Sequence, residues 1–212
     1  NIWKDGMLGL IVGDALGVPV EFMSRTELMK NPVTGMREYG THHQPRGTWS
    51  DDSSMALAEL DSIRTHGNID YTDMMERFSR WCMHGEYTPF GEVFDIGMAT
   101  SRALMNYAKG MAPLESGGKT EWDNGNGSLM RILPACIYFC NEEVSGRSSV
   151  NDIIKNIHAV SALTHSHLRS MIACGLYYFL VKEIIVGSGS VSERLQKGFN
   201  SGFAFMRLIL QI

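Results

Sequence analysis

The chain has 212 residues, of which 44% are hydrophobic and 20% charged, with a formal net charge of −4. That length holds one large domain or two small ones, and it buries a core sufficient to fold without disulfide or metal staples. The mild acidity and the lack of any Lys/Arg-rich block exclude a nucleic-acid footprint of the usual basic kind. The longest apolar run, residues 171–181, is closed by Lys182 and falls short of the roughly 18–20 residues of a membrane span. Lys4, Asp5 and Asp14 break up the N-terminal stretch, which has no secretory pattern. Cys82, Cys136, Cys140 and Cys174 lack CxxC spacing and read as apolar thiols of a reduced, cytoplasmic protein.

The patterning is helical throughout, broken by Gly, Pro and Asn. Residues 6–18 form a helix with Gly9, Gly13 and Gly17 on one face, a spacing that lets another backbone approach closely. Glycine costs roughly 1 kcal/mol at an interior helix position, so three of them imply a packing or site reason. Residues 21–47, with Pro32, Gly35, Gly40 and Pro45, read as a long loop able to fold over something. A helix opens at Ser50-Asp51-Asp52-Ser53 and ends at His66-Gly67. Asp70 or Thr72 caps the next, whose Met74, Phe78, Trp81 and Cys82 share a face. Further helices are expected over 93–108, 128–140, 150–163, 168–186 and 191–210, the last behind the capping-box spacing Ser190–Glu193. Convincing alternating strands are absent, so the expected architecture is all-α, a single domain over 1–212.

Four segments could carry chemistry. Ser50, Asp51 and Asp52 are either cap and dipole partners at a helix start or oxygen ligands for a hard cation. Asp14, in an apolar glycine-striped helix, either caps a neighbouring backbone end or faces a polar site, because an unpaired carboxylate there is costly. Glu21, where helix gives way to loop, is a solvated side chain or a mobile acid/base at a cleft mouth. Residues 124–131 (Asn-Gly-Asn-Gly-Ser-Leu-Met-Arg) form ordinary turns or a loop whose amides cradle phosphate. His165 and His167 lie at a helix junction, as surface and cap residues or as ligands.

Taken together and in order, GDALGxPxEF from Gly13, GTWSDDS from Gly47, NGxxMRxxP from Asn126 and the Thr164-His165-Ser166-His167 junction resemble the ADP-ribosylglycohydrolase family, of the dinitrogenase reductase-activating type. The resemblance runs from Gly6 to about His167. It implies an all-helical fold with a binuclear Mg²⁺ or Mn²⁺ site at the bottom of a cleft. It also implies hydrolysis of the bond between ADP-ribose and a protein side chain or small acceptor. By similarity Ser50, Asp51 and Asp52 are metal residues, Asp14 supports them from behind, and Glu21 is the flap glutamate at the reacting centre. Gly125, Asn126, Gly127 and Ser128 line the diphosphate and distal ribose, His165 approaches the same nucleotide, and Met130 and Arg131 hold the loop. The family completes its metal site with an Asp-x-Asp-Ser/Thr motif after the His region, whereas the acidic residues beyond His167 are Glu183 and Glu193 alone. The resemblance therefore implies that C-terminal helices are missing, and that apolar surface is left open for self-association. It also keeps open an alternative, a catalytically impaired ADP-ribose-binding module.

Overall fold

The computed structural model describes residues 1–210 and consists of ten α-helices joined by turns and short 3₁₀ segments, with no strand among the described residues. The all-α expectation holds. Helix α1 (Ile2–Gly17) continues into a 3₁₀ turn at Val18–Val20, and a short α2 (Arg25–Lys30) follows. Helix α3 (Asp51–His66) opens behind Ser50, whose hydroxyl accepts from the Asp52 amide at 3.3 Å, and closes on Gly67 in the left-handed region. Asp70 caps α4 (Tyr71–His84) by accepting from the Asp73 amide at 2.9 Å. Helices α5 (Met98–Ala108), α6 (Pro113–Ser116), α7 (Leu133–Val144), α8 (Val150–Ala162), α9 (Leu168–Val186) and α10 (Val191–Leu210) complete the chain.

Helix α3 is the central element, in contact with α1, α4 and α7. Its Ser53, Ser54, Ala56 and Ala58 are small and buried, so neighbouring helices close on it, while Met55 and Ile63 supply bulk. The core collects Phe78 and Trp81 of α4, Ile137 of α7, Ile153, Ile154 and Ile157 of α8 and Tyr178 of α9, all fully buried. Cys136, Cys140 and Cys174 are buried unpaired thiols in this core, as their spacing suggests.

One polar element threads the core. Arg131 and Glu59 are both 0% exposed and form an ion pair at 2.8 Å. Helix α7 has no capping side chain of its own. Glu59 Oε1 instead accepts from the Ala135 amide at 3.2 Å and thereby satisfies one of α7's free N–H groups from α3. Arg131 also donates to the Val160 carbonyl at 2.9 Å and stacks over the Phe78 ring.

Several sequence expectations are corrected. The helix expected over 93–108 begins at Met98: Val93 and Ile96 pack against the core from a non-helical segment, and Gly97 (ψ 140°) starts the helix without a side-chain cap. The helix expected over 128–140 is two pieces, a 3₁₀ turn at Leu129–Arg131 and α7 from Leu133, because Pro134 has no N–H and is tolerated only in a first turn. The loop over 21–47 contains α2, opened by a Ser24–Glu27 capping box whose S-x-x-E signal stands in the sequence. The glycine stripe of α1 admits no second backbone: no heavy atom lies within 4 Å of where a Cβ would stand at Gly9, Gly13 or Gly17. That face instead borders a groove of about 520 Å³ that reaches Asp14, Glu21, Ser50 and Asp52. Ile2, Leu8 and Val12 of α1 and Phe199, Phe203 and Leu208 of α10 are exposed apolar side chains.

Candidate active site

Five segments converge on one cleft of about 340 Å³: the loop after α1, the start of α3, the start of α5 with the residues ahead of it, the turns between α5 and α7, and the α8–α9 junction. Its lining includes Glu21, Asp51, Asp52, Asp95, Arg102, Trp122, Gly125, Asn126, Gly127 and His165. Residues far apart in sequence thus share one concavity.

At the acidic end, the α3 start is held by Asp14. Its Oδ2 accepts from the Ser50 amide at 2.9 Å, the Ser53 amide at 3.1 Å and the Ser53 hydroxyl at 2.6 Å, and its Oδ1 from the Ser50 hydroxyl at 2.8 Å. Asp14 thus caps a neighbouring backbone end, and it also borders the polar groove shared with Glu21, Ser50 and Asp52. This brace turns Asp51 and Asp52 toward the cleft. Asp51 is only 8% exposed; burial first, then the charges of Asp52, Asp95 and Asp14, push its carboxyl up to about 8. Burial and Asp14 likewise raise Asp52. Among the described residues no lysine or arginine pairs with Asp14, Asp51, Asp52 or Asp95. Buried like-charged carboxylates without a counter-ion are costly, and an oxygen-seeking divalent cation would relieve that cost. The chemistry of these oxygen donors is of the kind that a hard divalent cation takes.

Glu21 sits at the mouth. Thr41 donates to the Glu21 carbonyl at 2.6 Å and, through its amide, to Pro19 at 3.1 Å. The loop therefore folds back on the end of α1. A Cβ at Gly40 would fall 1.8 Å from the Pro19 oxygen, so this approach requires glycine. Glu21 Oε2 lies 2.6 Å from His42 Nε2, and the His42 ring sits between Phe22 and Phe94 at 6.0 and 5.3 Å. Glu21, His42 and Asp95 offer ligand atoms within 4.8 Å of one another, a second place that could hold a cation. Phe22 has a left-handed backbone (φ 62°) and is 81% exposed beside Glu21, a strained conformation of the kind found at functional sites.

The other end is rich in donors. The Gly125 carbonyl accepts from Ser170 Oγ at 3.1 Å, which fastens the glycine loop to α9. Arg102, at the rim, donates to Asp123 at 2.8 Å, and Thr120 holds the same carboxylate and lowers its pKa. His165 is 3% exposed, and its ring reaches under Gly125 and Gly127. Ser128 stands apart from the lining: it is fully buried, with its hydroxyl 2.8 Å from that of Ser161. His167 caps α9 rather than facing the cleft, accepting from the Arg169 amide at 3.2 Å. Glu183 and Glu193 lie elsewhere, Glu193 capping α10 through Ser190. Sequence reasoning missed Asp95, His42, Arg102 and Trp122, which belong to no motif and reach the cleft only through the fold.

The chain is similar to known proteins over nearly all its length. The profile of the ADP-ribosylglycohydrolase family matches residues 3–206. An ADP-ribosylarginine hydrolase Tri1 from Serratia proteamaculans (strain 568) is 34% identical over 186 residues, 87% of this chain and 48% of that protein. An ADP-ribosyl-[dinitrogen reductase] glycohydrolase from Rhodospirillum rubrum is 30% identical over 86% of this chain and 57% of its own length. Among solved structures, an ADP-ribosylglycohydrolase-related protein complex superposes with a TM-score of 0.67 at 29% identity, covering 89% of this chain and 57% of that one. The chain spans about half the length of the curated relatives it matches. No described helix is long and apolar enough to cross a membrane. By its motifs, its helical fold and the extent of these matches, the chain belongs to the ADP-ribosylglycohydrolase family.

Proposed function

We propose that the cleft binds ADP-ribose and serves a metal-dependent hydrolase that cleaves the glycosidic bond between ADP-ribose and a protein side chain or small acceptor. One observation carries this reading: a single concavity has unpaired carboxylates at one end (Asp51, Asp52, Asp95) and donors at the other (Arg102, the Gly125–Gly127 turn and His165). A cation and an anionic diphosphate are thereby invited to opposite ends of one ligand. An ADP-ribosylated protein, with arginine as the first acceptor to try, matches the relatives' names. Residues 1–212 act as a single domain in this reading, and the unpaired cysteines fit a cytoplasmic setting.

Each residue then has a task. Cleavage at the anomeric carbon builds oxocarbenium-like positive charge on the ribose, which the carboxylate-rich end tolerates. Ser50, Asp51 and Asp52 would hold Mg²⁺ or Mn²⁺, braced by Asp14. Such a cation supplies ribose-hydroxyl anchoring and a water of lowered pKa. Glu21, at the mouth, moves the proton of the incoming water or the leaving acceptor. Gly125, Asn126 and Gly127 bind the diphosphate and distal ribose with backbone amides, and His165 completes that end.

The test is incubation of the purified chain with Mg²⁺ and ADP-ribosylated arginine. Release of free ADP-ribose is expected. Release absent but calorimetric ADP-ribose binding present would favour the alternative, a catalytically impaired binding module. That second reading draws on one observation: among the described residues, no side chain of α9 or α10 lines the cleft. Neither signal would discard both readings.

Glu21→Gln should slow turnover by roughly 10² or more while ADP-ribose affinity, read by calorimetry, stays the same. An unaltered rate would remove its proton-transfer role. Gly127→Ala acts on the other end: its Cβ would stand 2.6 Å from His165 Cε1 and 3.1 Å from Thr100 Oγ1. Ring or loop must shift, so ADP-ribose affinity should fall about 10-fold, or about 1.4 kcal/mol. Full affinity in that variant would show that ligand does not use this turn.

A further inference from the structure

We propose that Thr164 fixes His165 as the neutral Nε2–H tautomer, so that His165 meets the ligand as a hydrogen-bond donor to an acceptor oxygen and is no metal ligand. The argument is a count of protons along a buried chain of side chains. Arg131 carries donors only, and its Nη2 donates to Thr164 Oγ1 at 3.0 Å. Thr164 is 0% exposed, and its hydroxyl proton has one remaining partner among the described residues, His165 Nδ1 at 2.9 Å. If Nδ1 carried the ring proton instead, two donors would converge on Oγ1 and the buried hydroxyl proton would be left unpaired. The satisfied arrangement runs from Arg131 to Thr164 to Nδ1, which leaves the ring proton on Nε2.

Nε2 has no protein partner among the described residues, and the ring borders the cleft beneath Gly125 and Gly127. The backbone fixes the ring's position. The His165 amide donates to the Ser161 carbonyl at 2.8 Å, and the Ser166 amide to the Gly118 carbonyl at 2.9 Å. Arg131 is itself held by Glu59, so the order reaches the ring from α3. Burial and the nearby Arg131 charge lower the His165 pKa to about 4, against the opposing effect of Asp123, which keeps the ring neutral at physiological pH. A neutral imidazole with Nε2 protonated has no lone pair to offer a cation there, so the ring suits a phosphate or ribose oxygen. Thr164 and Arg131 are positioning residues in this account. The oxygen's identity as part of ADP-ribose rests on the function proposed above; the tautomer does not.

The measurement is a long-range ¹H–¹⁵N correlation spectrum of the histidine rings in the uniformly labelled 212-residue chain, near neutral pH and without ligand. The His165 signals are assigned by their loss in His165→Gln. The expected pattern has pyridine-like Nδ1 and pyrrole-like Nε2. Thr164→Ser should keep that pattern and the ADP-ribose affinity. Thr164→Val should lose the single tautomer and weaken ADP-ribose binding about 10-fold. The reverse tautomer, or a charged ring, in the unsubstituted chain would overturn the proposal without recourse to any variant. An unchanged pattern in a folded Thr164→Val would overturn the role of Thr164. The expected spectrum with no ADP-ribose binding in any form would uphold the tautomer and overturn the assignment of the cleft.

Discussion

Replacing Arg131 by Met should destabilise the chain by about 3–5 kcal/mol, the largest stability loss expected of any single substitution here. The side chain lost is not the main cost. Glu59 would remain in the core at 0% exposure, its carboxylate without the guanidinium that now lies at 2.8 Å. Burial already outweighs that partner and pushes Glu59 up to about 7. Without Arg131 its folded-state pKa rises further above the unfolded value. A group of this sign stabilises fully below its unfolded pKa of about 4.3 and loses that contribution as pH climbs through the folded value. The variant should therefore be weaker at pH 8 than at pH 6, by a wider margin than the parent. In a protein of this size the midpoint of thermal unfolding should drop by roughly 10 °C. The double substitution Glu59→Leu with Arg131→Met removes both charges and should recover much of the loss. Equal thermal midpoints for parent and single variant, followed by circular dichroism, would show that the buried pair does not hold α3 to the 3₁₀ turn ahead of α7.

Asp51→Asn combined with Asp52→Asn should remove divalent-cation binding and reduce turnover by about 10³ or more, since several kcal/mol of charge stabilisation goes with the ion. The same substitutions should raise the thermal midpoint of the metal-free protein. The folded Asp51 carboxyl titrates at about 8 because burial and the neighbouring Asp52, Asp95 and Asp14 oppose its charge. Its sign is therefore that of Glu59: in the parent, the Asp51 contribution to metal-free stability is complete below about pH 4 and is lost as pH rises through about 8. Glu59 contributes to the same slope, and saturating Mg²⁺ or Mn²⁺ separates the two, because only the Asp51 part is cancelled by a bound ion. A pH 8 scan with and without Mn²⁺ decides the matter. A parent whose midpoint ignores the ion, or a double Asn variant no more stable than the parent, would argue that these aspartates are merely helix-opening residues.

Much of the scaffold could be read from local chemistry. Ser50 and Asp70 opening their helices, Gly67 closing one and the Ser190–Glu193 box opening another are signals confined to a single turn, where backbone orphan groups and nearby side chains settle the outcome between themselves. The boundaries at Met98 and Leu133 depart from the helical periodicity because side-chain packing and a proline decide them. The Ser24–Glu27 box shows that a legible signal can also be passed over inside a segment rich in Pro and Gly. Of the candidate site, the motif residues Glu21, Asp51, Asp52, Gly125, Asn126, Gly127 and His165 do share a cleft, and Asp14 braces it. Ser128 and His167 belong to the same motifs yet point away, because neighbours in sequence on a turn or helix start face different directions.

By itself the sequence determined the helical class, most helix ends and the four segments that could carry chemistry, since each depends on residues within one or two turns of each other. Only the tertiary structure decided that Asp14 caps α3, that Asp95, His42, Arg102 and Trp122 join the cleft, and that the glycine face of α1 looks onto open space. It also decided the proton order from Arg131 through Thr164 to His165. Those outcomes depend on which side chains meet across tens of residues, and on burial that leaves each shared proton a single satisfied place. Such terms come into being when the helices pack, and no local pattern contains them.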